Sequence, residues 1–112
     1  MKNFIQSGEN ISLAAPADVL SGAGVLVGSL FGVATADALS GETVTIVRRG
    51  VFELPKLSAQ AWTVGAKVYW NNTAKECTTV ASGNTLVGFA VQAAADPSDT
   101  GVVLLDGGAA TT

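Results

Sequence analysis

Apolar residues come in short runs of Val, Ile, Leu, Phe and Tyr, broken by Gly, Asn, Asp and Ser. No window sustains the i, i+3, i+4, i+7 spacing of an amphipathic helix, so the pattern predicts an all-β chain. Candidate strands are Phe4 to Gln6, Ile11 to Ala14, Gly24 to Ala34, Glu42 to Arg48, Val51 to Leu54, Lys67 to Trp70, Glu76 to Val80, Thr85 to Ala93 and Gly101 to Asp106. In the fourth of these, Thr43, Thr45 and Val47 alternate with Val44, Ile46 and Arg48, which predicts one buried face and one facing solvent or a neighbour. Ala34 to Leu39 has a helical leaning but is too short for more than a turn, and Ser40-Gly41 stops it. Pro55 to Val64 reads as irregular.

A chain of 112 residues suits one core. The expected organisation is an arm over residues 1–6, ahead of Ser7-Gly8, and a single all-β domain over 7–112, either a small barrel or a sandwich. Hydrophobic residues make up 48% and charged residues only 13%, which excludes disorder by composition and leaves much of the surface uncharged. Such a surface points to an oligomer or a lattice-bound subunit. The large side chains expected to anchor the core or an interface are Phe52, Leu54, Trp62, Val68, Tyr69 and Trp70, with each indole N–H needing a partner once buried.

The net charge of −3, with basic residues scattered apart from Arg48-Arg49, offers no counterion-releasing patch, so no nucleic-acid partner is expected. Arg48-Arg49 reads as a solvated strand end before a turn at Gly50. Val19 to Ala36 imitates a signal sequence or a membrane span, but Glu9, Pro16 and Asp18 intervene between it and the basic start, and Gly22, Gly24, Gly28 and Gly32 dilute it. A soluble protein without a membrane partner is the expectation.

Chemistry is sparsely represented. With one cysteine and no histidine, no internal disulfide, Cys/His zinc site or Ser-His nucleophile can be built. Cys77 is expected at a half-buried strand position. Gly22-Ala23-Gly24-Val25-Leu26-Val27-Gly28 imitates a dinucleotide loop, yet no strand-helix-strand context surrounds it and no Walker loop is present. Asp96, Asp99 and Asp106 read as turn residues capping backbone amides rather than as acid–base or calcium groups. The expectation is a protein with no cofactor, no metal and no enzymatic activity. A faint repeat relates Gly32-Val33-Ala34 and Val44-Thr45-Ile46 to Gly88-Phe89-Ala90 and Val102-Val103-Leu104. It is short and low in complexity, and chance accounts for it at least as well as pseudo-symmetric halves of one barrel.

Four segments together carry a resemblance: Lys2-Asn3-Phe4-Ile5-Gln6, Gly50-Val51-Phe52-Glu53-Leu54-Pro55-Lys56, Val64-Gly65-Ala66-Lys67-Val68-Tyr69-Trp70-Asn71, and Val87-Gly88-Phe89-Ala90-Val91. Their order and spacing resemble the tailed-phage capsid cement or decoration proteins, a family whose relatives have sometimes been labelled predicted recombinases. Nothing in this chain supports that label. The resemblance implies a homotrimer on the outside of the phage head, made in the host cytoplasm, with the major capsid protein as partner. A further likeness of Leu86 to Leu105 to the lambdoid head-stabilising protein implies an open β-tulip barrel; another barrel or sandwich would fit the same strands. Lys2, Asn3, Phe4, Ile5 and Gln6 are the expected capsid contacts, an extended arm adding a strand to a capsid sheet edge. A head-fibre base, a tail component, or a carbohydrate- or host-binding module using Trp62, Tyr69 and Trp70 as an exposed platform are the other readings.

Overall fold

The computed structural model describes residues 10–106. Nine strands form two antiparallel sheets, and the described residues contain no helix. β1 (Asn10–Ala14), β2 (Gly24–Val27), β3 (Leu30–Ala34) and β4 (Thr43–Val47) make the first sheet, in the order β1-β4-β3-β2. β5 (Arg49–Pro55), β6 (Lys67–Asn71), β7 (Glu76–Thr78), β8 (Thr85–Ala90) and β9 (Thr100–Asp106) make the second, in the order β5-β9-β8-β6-β7.

The run Gly24 to Ala34, expected as one strand, is a hairpin. It folds back at Gly28-Ser29, where Gly28 has φ of 59°, a left-handed conformation that costs glycine nothing. Arg48-Arg49 is not a strand end before a turn either: only Arg48 lies between β4 and β5, and Gly50, with φ of 130°, sits inside β5. The expected strands Glu76 to Val80 and Thr85 to Ala93 stop early, at Thr78 and Ala90. The alternation in β4 places Val44 and Ile46 in the core while Thr43 is exposed.

The two sheets repeat one plan. Removing β7 leaves two four-stranded units with the same order, in which β1, β4, β3 and β2 correspond to β5, β9, β8 and β6. The registers agree apart from a shift between Val68 and Tyr69 in the β6–β8 pair, which β2–β3 lacks. Ile11 opposite Ile46 corresponds to Phe52 opposite Val103, and Leu13 opposite Val44 to Leu54 opposite Gly101. Ala34 opposite Ile46 corresponds to Ala90 opposite Val103, and Val25 opposite Gly32 to Val68 opposite Gly88.

The loops follow the same plan. The isolated bridge Val19 to Ala38 matches the bridge Trp62 to Ala94. Gly22 N–H donates to Ala34 O at 2.8 Å and Gly65 N–H to Ala90 O at 2.7 Å, and both glycines have φ of 89°. Added Cβ atoms at Gly32 and Gly88 would press on equivalent carbonyls, those of Val47 and Leu104. The faint repeat thus has a structural counterpart in place of chance: Gly32-Val33-Ala34 matches Gly88-Phe89-Ala90 as read, but Val44-Thr45-Ile46 matches Gly101-Val102-Val103, one residue earlier than the sequence suggested.

Each unit has its own inner face. The first buries Ala15, Val25, Ala34, Val44 and Ile46, with Ile11, Leu13 and Val27 packed alongside. The second buries Leu54, Trp62, Val68, Trp70, Ala90 and Val103. The units join through the opposite face of β3, whose Phe31 and Val33 belong to the second unit's cluster; Phe31 meets Trp70 with ring centroids 5.1 Å apart.

Candidate interaction surface

Most residues singled out from the sequence lie inside the second unit. Leu54, Trp62, Val68 and Trp70 are buried, and Phe52 and Tyr69 are half-buried. The Trp62 indole N–H donates to Gln60 Oε1 at 3.0 Å and the Trp70 indole N–H to Asn72 Oδ1 at 3.0 Å, which meets the polar need of both rings. With Trp62 only 2% and Trp70 only 1% exposed, these rings form no outward platform for a sugar. Lys2, Asn3, Phe4, Ile5 and Gln6 lie outside the described residues.

Three internal features were not found from the sequence. Lys56 is 3% exposed; its Nζ donates to Leu57 O at 2.8 Å and Ser98 O at 3.3 Å and stands 5.8 Å from the Trp62 ring centroid. Gln60 ties β7 to the loop before β6: its Oε1 also accepts from Thr79 N–H at 2.9 Å, and its Nε2 donates to Thr78 Oγ1 at 3.1 Å. Cys77 is fully buried rather than half-buried, because β7 lies between β6 and the end of β5, where it bridges Lys56. Burial, and secondarily the Glu76 carboxylate, push its thiol up to about 12. Such a thiol is inert.

Large apolar side chains are exposed in both units: Val51, Leu57, Val64 and Val80 in the second, and Leu20 and Leu39 at one end of the first. Leu20 and Leu39 are 69% and 62% exposed, and they flank a cleft of about 370 Å³ lined also by Asp18, Val19, Asp37, Ala38 and Glu42. The three carboxylates tie the loops together through backbone amides. Asp37 Oδ1 accepts from Ser21 N–H at 2.7 Å, Asp18 Oδ1 from Ser40 N–H at 2.8 Å, and Glu42 Oε1 from Leu39 N–H at 2.7 Å. Nothing in the alternation marks these leucines as exposed; only their neighbouring Asp, Ser and Gly turn residues hint at it. A second cleft, also about 370 Å³, opens between Pro16, Ala17, Val19, Ala23 to Leu26 and the second unit's Pro55, Trp70, Asn72 and Lys75.

Among the described residues no group of three potential metal ligands converges, and no helix is long and apolar enough to cross a membrane. What the surface offers is preorganised apolar contact area, the chemistry of assembly. The family comparison agrees: the phage cement protein model matches residues 5–105, and the chain belongs to that family of structural phage proteins, associated with the capsid. Comparison with curated proteins and with solved structures gave no match.

Proposed function

We propose that this protein is a non-enzymatic cement protein that binds the outside of the assembled phage head as a homotrimer and stabilises the shell. The observation that carries this reading is the family match over 5–105. The exposed Leu20 and Leu39, on loops held by carboxylate hydrogen bonds, give it a physical basis. Loops whose backbone is already hydrogen-bonded lose less conformational entropy on docking, so modest contacts suffice when many copies act together on a lattice. Lys2, Asn3, Phe4, Ile5 and Gln6 act as an extended arm that adds a strand to an open sheet edge of a neighbouring subunit in the decorated head. The partner is the major capsid protein, and the site of action is the capsid surface.

Co-sedimentation with matching mature capsids that lack the protein, beside unexpanded procapsids, tests the reading. Saturable binding to mature shells is the expected result. Absence of binding to either shell would overturn it in favour of a head-fibre or tail component.

A further inference from the structure

The duplication exposes one asymmetry. In the second unit the connection from β6 to β8 carries β7, which pairs antiparallel with β6 and meets the end of β5 through the parallel Lys56–Cys77 bridge and a 2.9 Å bond from Leu57 N–H to Cys77 O. In the first unit the matching connection, β2 to β3, is the Gly28-Ser29 turn. β2 therefore ends its sheet, and the place equivalent to β7 is taken by no strand among the described residues. The cleft lined by Pro16, Ala17, Val19 and Leu26 borders it, with the second unit's Pro55, Trp70, Asn72 and Lys75 as its other wall; Pro16 follows Ala15, the counterpart of Lys56, and Leu26 is the counterpart of Tyr69.

We propose that this slot receives the Lys2–Gln6 segment of a second copy, so that neighbouring copies are joined by exchanged strands. The same chain shows how the slot is filled: β7 seats a three-residue strand whose central side chain, Cys77, points into the core. The first unit has Ala15 and Val27 where the second has Lys56 and Trp70, which leaves room for a side chain larger than a thiol. Adjacent Phe4 and Ile5 point to opposite faces of a strand, so one fills the slot whichever register is adopted.

The direction of the slot excludes the chain's own segment. A strand antiparallel to β2 runs parallel to β1, and parallel neighbours need a crossover of about a dozen residues or more. Only Ser7, Gly8 and Glu9 separate Gln6 from Asn10. Pro16 stands where Leu57 donates its amide and has none to give, so the incoming strand is held by the β2 edge alone. Pairing on one side suits an exchangeable joint.

The test uses full chains carrying either Asn3→Cys or Ser29→Cys, which β7-like seating brings together at the slot entrance. Both kinds are mixed and treated with a short bismaleimide, Cys77 being buried and unreactive in the folded protein. A covalent dimer of one chain of each kind is expected, together with a fall from oligomer to monomer on deletion of residues 1–6. Absence of the mixed dimer overturns the proposal. So does a deletion variant that keeps its oligomer and loses only capsid binding, because the acceptor edge then belongs to the shell. A mixed dimer from protein that binds no capsid supports strand exchange while removing the shell-binding reading.

Discussion

At the scale of single residues, the two units solve one packing problem in two ways. Val19 and Val44 share the first unit's core, whereas the equivalent positions in the second hold Trp62 and Gly101. A Cβ on Gly101 would drive into the Trp62 ring. Gly101→Val alone overpacks the core and should cost roughly 1–3 kcal/mol or more, while Trp62→Val alone leaves a cavity and should cost on the order of 3 kcal/mol. The double substitution rebuilds the first unit's pair and should be less destabilising than the sum by about 1–3 kcal/mol, measured by denaturant unfolding. Strict additivity would show that the positions do not share a cavity.

Cys77 makes a prediction about pH. Its thiol is raised from an ordinary 9.0 to about 12 in the folded chain, so the neutral thiol is the form that folding favours. A raised pKa contributes stability that is complete below the unfolded value and is lost as pH climbs toward the folded one. The wild type should therefore lose stability relative to Cys77→Ala between about pH 9 and 12, with a difference in slope approaching 1.4 kcal/mol per pH unit. Parallel stability–pH curves would show that the thiol titrates alike in both states.

Elements show where the sequence was legible and where it was not. Alternation and turn residues located nearly every strand, because period-two burial writes itself directly into β4 and β9. The β2–β3 hairpin was hidden because Val25 to Val33 is apolar on both sides of its turn: β3 buries one face in its own unit and the other against the second unit. A strand covered on both faces shows no alternation. The duplication was faint for a related reason. Register and loop hydrogen bonds constrain backbone, and pairs such as Ile11 and Phe52, or Ala15 and Lys56, need only fill their own surroundings. Of the interaction surface, the sequence signalled an uncharged exterior without locating it. Leu20 and Leu39 became visible only once Asp18, Asp37 and Glu42 were seen holding their loops.

For the whole molecule, the question is whether the duplicated units unfold as one body. Their connection includes Phe31 and Val33 from β3, which join the cluster of Trp70, Leu54 and Val68, with Leu26 and Gly24 of β2 beside them. Both tryptophans belong to the second unit. Tryptophan fluorescence thus reports the second unit and far-UV circular dichroism reports both, and in the wild type the two transitions should coincide. Phe31→Ala removes the ring that meets Trp70 and should cost about 3–5 kcal/mol. It should also separate the probes, with the dichroism beginning to fall at lower denaturant as the first unit opens ahead of the second. If both probes instead shift together, cooperativity runs through the units' other contacts, such as Val33 and Leu26, and not through the Phe31 ring.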